Sequence, residues 1–144
     1  MRSPIVDRRL QIIAAVSGVY DGLVALLMLT GRPLLAQIFG VPLPHPPIHA
    51  DLNGLFLLAV AAGYLIPYRD PESAGGRMYM WVMGPMLKGG GALLFITDYV
   101  VRHSPQSFLL FAASDGTLAM LTLWALLRQE LPRDRVRAHA HPLD

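Results

Sequence analysis

The sequence predicts an all-α, polytopic membrane protein: a bundle of four transmembrane helices with both termini in the cytoplasm. Three observations carry this. Of the 144 residues, 53% are hydrophobic and only 15% are charged, whereas a soluble domain carries about 25% charged residues. The apolar residues gather in four blocks, each close to the roughly 20 residues that cross a bilayer. The basic residues are also uneven. Arg2, Arg8, Arg9, Arg69, Arg77, Arg128, Arg133, Arg135 and Arg137 flank one side, and only Arg32 and Arg102 the other. The basic side is cytoplasmic by the positive-inside rule, which sends the linker 31–50 and the Arg102-His103 loop to the periplasm of a bacterial inner membrane. The remaining polar sequence is too short for a separate soluble domain. Cysteine is absent, which excludes disulfides, thiolate metal sites and cysteine nucleophiles.

Residues 1–9 form a basic cytoplasmic lead-in. The first span covers about 10–29. Its apolar run exceeds a signal-peptide core, contains Asp21 and meets no small-residue cleavage site, so it reads as a retained helix. Gly18 and Gly22 make a GxxxG pair for close helix approach, within the chain or in a homodimer. Ala14, Ser17, Gly18, Ala25 and Met28 share the side of Asp21 at spacings of three and four. Ile12, Val16, Leu23 and Leu27 suit lipid or general packing.

The linker 31–50 opens with a short helix from Pro33 to Phe39, started by the proline and apolar along Leu34, Leu35, Ile38 and Phe39. The stretch PLPHPPIH, residues 42–49, places four prolines in six residues. It reads as an extended cap over the outer face. The second span covers about 51–67, with Asp51 and Asn53 in its first turn, where a carboxylate complements the helix N-terminus. Gly54, Ala59, Ala62 and Gly63 permit close packing, and Tyr64 and Tyr68 fit an interfacial aromatic belt. The charged turn 67–77 leads into the third span, about 78–98. Pro85 within it cannot donate to the carbonyl of Trp81, which predicts a kink or break. The run Met78, Met80, Met83, Met86 is adaptable packing, and Tyr79, Trp81 and Trp124 anchor inner span ends. The fourth span covers about 107–127, and 129–144 is a basic cytoplasmic tail, frayed or interfacial.

The stretch MGPMLKGGGALLFITD organises the chain. It holds Lys88, the only lysine, between the breaker Gly84-Pro85 and the glycines Gly89, Gly90 and Gly91. At about 1.5 Å rise per residue, Asp21 and Lys88 each lie roughly 15 Å from the inner ends of their spans, and Asp115 roughly 10 Å from the outer end of the fourth. All three can meet near mid-membrane. Alone at the bilayer centre, each would cost roughly 2.5–3.5 kcal/mol. Together they carry a net charge of −1, which favours a proton held by the group as a whole. One reading is a proton or ligand site opened by the Pro85 break, since broken helices near the midplane recur at binding sites. The other is a salt-bridge network that holds the helices in register.

A second, outer group comprises Asp51, Asn53, Asp98, His45, His49 and His103. Two histidines with carboxylates can ligate zinc or copper, but His45 and His49 stand in a proline-rich linker without ligand spacing. They are weak metal candidates, and no motif marks a cofactor. His139 and His141 read as solvated tail. The phosphate loop, nucleophile elbow, HExxH and CxxC are all missing from the sequence. The tail can touch anionic lipid, and its short mixture of bases and acids does not suggest nucleic-acid binding.

Four short spans, SGVYDGL in the first, LNGLFLLAVAAGYLIPY in the second, MLKGGGAL in the third and ASDGTLAM in the fourth together resemble the DoxX-like group of small bacterial membrane proteins. The resemblance implies a four-helix inner-membrane protein. For some members it implies association with quinone-linked oxidation of sulfur compounds. It transfers no catalytic residue. The expectation is a small inner-membrane protein whose Asp21, Lys88 and Asp115 bind a proton or a small hydrophobic or weakly polar ligand, accessory to transport or redox chemistry. A structural subunit or assembly factor of a larger membrane complex is one alternative. A membrane oxidoreductase-type enzyme using the outer group is another.

Overall fold

In the computed structural model, residues 4–139 are described, with side chains over 8–128. Every regular element among them is helical. Helix α1 (Pro4–Thr30) forms the first span and the short α2 (Arg32–Phe39) follows it. The second span is α3 (Ile48–Gly63) continued by α4 (Leu65–Arg69). The third joins α5 (Ala74–Trp81), a π-helical turn (Val82–Lys88) and α6 (Gly89–Arg102). A 3₁₀ turn (Gln106–Phe108) opens the fourth, and α7 (Leu109–His139) carries it on. Four segments, Arg8–Thr30, Ile48–Arg69, Ala74–Arg102 and Gln106–Arg128, are long and apolar enough to cross a membrane.

The burial pattern says the same. Large apolar side chains such as Leu23, Phe56, Leu94 and Met120 are exposed, while Ser17, Asp21, Lys88 and Thr122 are buried. In water such a surface would be one continuous sticky patch. In lipid it is the expected arrangement, because helices satisfy their own backbone and polar side chains turn inward.

Helices α1 and α7 form the central pair. The second span packs along α1, and the third packs along α7. Small residues set the α1–α3 approach: a Cβ on Gly18 would stand 3.1 Å from the Tyr64 Cβ, and one on Gly22 would stand 3.7 Å from the Ala61 Cβ. The Gly18/Gly22 pair therefore serves a close approach within the chain, and both glycines are half-buried. As expected from its sequence, the side of Asp21 faces inward, with Ala14, Ser17 and Ala25 buried, while Ile12, Val16 and Leu23 face out.

The end of the bundle nearer the two termini is filled by an apolar plug of Leu10, Ile13, Ala14, Val60, Tyr64, Met80, Ala125 and Leu126. At the opposite end, α2 folds back on α7. Phe39 stacks on Phe111 at 4.7 Å, Phe95 stacks on Phe111 from the other span at 5.4 Å, and Ser107 donates to the Phe39 carbonyl at 2.7 Å.

Several boundaries differ from the sequence reading. Ile48 and His49 belong to α3 rather than to an extended cap, because Pro46 and Pro47 supply the carbonyls of its first turn. Proline fits that position, where no intrahelical N–H is needed. The tail from 129 continues α7 as far as His139. No glycine follows Gly116 to stop it, and the cap that most often ends a helix is therefore missing. Of the methionines, Met80 is in the plug and Met83 against it, while Met78 and Met86 face out.

Tyr64 is not a belt residue. It is buried, stands edge-on to Tyr79 with ring centroids 5.2 Å apart, and its hydroxyl has no hydrogen-bond partner. Tyr79 donates to the Val60 carbonyl. The pair makes a prediction. Tyr64→Phe leaves the melting temperature of the purified protein unchanged or raises it, because it removes a buried, unpaired hydroxyl. Tyr79→Phe lowers it by the equivalent of about 1 kcal/mol. Equal losses in both variants would mean that Tyr64 has a partner.

Candidate functional site

Proline at 85 breaks the regular i to i−4 ladder, and the chain answers with the π-helical turn Val82–Lys88. Such turns arise as single-turn insertions in α-helices and are frequent at functional sites. Here the turn keeps the third span continuous while Gly84 settles against α7. A Cβ on Gly84 would stand only 2.5 Å from the Thr122 Cγ2. Gly89 lies against Ala119, and Gly116 on α7 lies against Ala92. These glycines and alanines draw the third span onto α7, and Lys88, at the end of the turn, faces inward.

The three intramembrane charges come together. Lys88 Nζ lies 2.6 Å from Asp21 Oδ1 and 3.1 Å from Asp115 Oδ1, so one ammonium bridges carboxylates on α1 and α7. Asp21 and Lys88 are only 2% and 5% exposed, whereas the side chain of Asp115 keeps 18%. The ammonium also lies 5.0 Å from the ring centroid of Tyr20, whose hydroxyl shares a 2.7 Å hydrogen bond with Ser114 Oγ. Lys88 is thus held by two carboxylates and one aromatic face.

Tyr20 was not legible as part of this site. Its only signal was its place: a tyrosine at mid-span beside Asp21, where the interfacial role of tyrosine does not apply.

Asp115 is the open member. The position of a Cβ on Gly91 is 3.9 Å from Asp115 Oδ2, so the glycine leaves the carboxylate uncovered on that side. A surface groove of about 520 Å³, lined by α6 residues alone, runs from Gly91 past Leu94, Phe95 and Thr97 to Asp98 and Arg102 at the end of that helix. No family model, curated protein or solved structure matches this chain. The function must be read from the site itself.

The other residues singled out in the sequence take different places. Asp51 pairs with Arg32 at 2.9 Å, and Asp98 pairs with Arg102 at 3.0 Å and accepts from Ser104. Both are partly exposed ion pairs at helix ends, and such pairs contribute at most about 1 kcal/mol. Asn53 is exposed on α3 and does not support the triad. Gly90 has no neighbour within 4 Å of its Cβ position, so it too lends no support by close packing. His45, His49 and His103 are exposed. Among the described residues, no three histidines or carboxylates come close enough to hold a metal ion. Asp51 and Asp98 are instead engaged in separate ion pairs, with Arg32 and with Arg102. His139 and His141 lie outside the described side chains.

Proposed function

We propose that this chain is a small multi-pass protein of a bacterial inner membrane, with both termini cytoplasmic, in which Asp21, Lys88 and Asp115 take up and release a proton from the outer side. The observation that carries this reading is the imbalance of the site: one ammonium faces two carboxylates, nearly out of solvent. A surplus negative charge in a medium of low dielectric constant is costly, and one proton cancels it. The exposed edge of Asp115 supports this, since its side chain keeps 18% exposure and the Cβ position of Gly91, at one end of the α6 groove, is 3.9 Å from its Oδ2. The apolar plug below the triad supplies a barrier on the inner side. Protonation of Asp115 breaks its ion pair with Lys88 and loosens that link between the third span and α7, while Lys88 stays paired with Asp21 on α1. A movable link of this kind suits an accessory to transport or redox chemistry. The likeness to DoxX-like proteins belongs with this proposal. A small, weakly polar ligand entering the same groove would meet the same carboxylate.

Infrared spectroscopy of the reconstituted protein tests it. Acidification of the outer medium is expected to raise a protonated-carboxyl band that Asp115→Asn abolishes. If wild type and Asp115→Asn give identical difference spectra, the proton site is lost as an explanation.

A second reading has its own observation. Both Lys88 contacts are short and well seated, as they would be in a salt bridge kept only to hold three helices in register. A protein of that kind, a structural subunit or assembly factor, shows no protonation band at all.

A further inference from the structure

At the end of the bundle opposite the groove mouth, α1 and α7 bring two arginines onto one indole. The guanidinium carbons of Arg9 and Arg128 each lie 5.0 Å from the ring centroid of Trp124, so the two cations are at most twice that distance apart. The indole face attracts each, but it does not cancel the repulsion between them. Among the described residues, neither arginine is ion-paired with a carboxylate. Two guanidinium forks held to one indole, without a carboxylate partner among the described residues, can grip a tetrahedral oxyanion by their N–H donors.

The position of the pair selects the anion. Arg9 is in the first turn of the first span and Arg128 ends the fourth, so both stand where headgroups lie. Trp124 is 40% exposed, at the depth where indoles sit in a bilayer. One and two turns deeper on the same helices, Ile12, Val16, Met120 and Leu121 are exposed, an apolar wall for acyl chains. We propose that Arg9, Trp124 and Arg128 bind the phosphodiester of an anionic phospholipid. A zwitterionic lipid fits less well, because its ammonium would approach the second arginine. Free phosphate would leave the apolar wall unused.

Quenching of Trp124 by brominated lipids tests this. The protein, with Trp81→Phe so that Trp124 alone reports, is placed in bilayers with brominated acyl chains on phosphatidylglycerol or on phosphatidylcholine. At equal mole fraction, quenching by the glycerol lipid should be several-fold stronger. Arg9→Gln with Arg128→Gln should reduce it to the level of the choline lipid, and Arg9→Lys with Arg128→Lys should restore it only in part. Equal quenching by the two lipids overturns the proposal. So does a preference that millimolar inorganic phosphate abolishes, which would make the site one for phosphate alone. If the Trp81→Phe background does not fold, native mass spectrometry of the wild type against the double glutamine variant decides. A retained phosphatidylglycerol that the variant lacks supports the site, and identical lipid retention overturns it.

Discussion

Replacing Lys88 by methionine should cost the folded protein about 3–5 kcal/mol in mildly alkaline buffer, the usual loss when one partner of a buried ion pair is removed. The variant leaves Asp21 and Asp115 facing each other across the space of the ammonium, which stood 2.6 Å and 3.1 Å from them. Neither carboxylate then has a counter-charge, and Asp21 is only 2% exposed. Protonation relieves this in the folded state only, since the unfolded chain keeps both groups solvated. The folded variant therefore binds more protons than the unfolded one, and its stability must rise as the pH falls. Thermal unfolding in detergent at mildly acidic and mildly alkaline pH reads this directly. The triple variant Lys88→Met, Asp21→Asn, Asp115→Asn removes all three charges, and should be as stable as the wild type or more so with little dependence on pH. An alkaline Lys88→Met protein as stable as the wild type would show that the triad is not sealed from water.

The triple variant also separates the readings of function. A folded triple variant without the infrared band means that the charges serve protonation rather than folding. A triple variant that fails to fold at any pH means that they hold the bundle together.

The second large effect belongs to Gly84. A Cβ there would stand 2.5 Å from Thr122 Cγ2 and 2.8 Å from Thr122 Cβ, closer than such atoms approach. Thr122 is 1% exposed and its hydroxyl is held by the Leu118 carbonyl at 2.7 Å, so it has little freedom to yield. Gly84→Ala should cost about 1–3 kcal/mol, the range for overpacking, and weaken the seat of the π-helical turn that aims Lys88. Thr122→Ala in the same chain removes the nearest atom and should recover part of the loss. Gly90→Ala is the control. Nothing lies near its Cβ position, so the change should be neutral or stabilising by up to about 1 kcal/mol, the helix preference of alanine over glycine. Chemical or thermal unfolding of the three variants reads the difference. Equal behaviour of Gly84→Ala and Gly90→Ala would show that α7 does not press on the turn.

The number of spans, the side of α1 that faces inward and the short helix after Arg32 were legible in the sequence, whereas the spans proved longer than their apolar runs, the third most of all at 29 residues. The three legible features follow from the length of apolar runs, from the period of small residues and from where prolines fall, all of which are one-dimensional quantities. The sequence also narrowed the intramembrane charges to three residues that depth allowed to meet. Their partners were a different matter. That Lys88 bridges both carboxylates and that Tyr20 is its third neighbour became visible in the packed bundle alone. That depends on the rotation of three helices about their axes, which the π-helical turn resets between Pro85 and Lys88.

Tyr64 shows the same limit. A tyrosine near a span end satisfies the pattern of an interfacial anchor whether or not another helix covers it, and here α1 does. The Gly18/Gly22 pair signalled close approach without naming the partner, which proved to be α3 of the same chain. For Asp51, Asp98 and the histidines, proximity to one membrane face suggested a group. Sharing a depth in the bilayer leaves the distance across it free, and Asp51 and Asp98 are engaged in separate ion pairs.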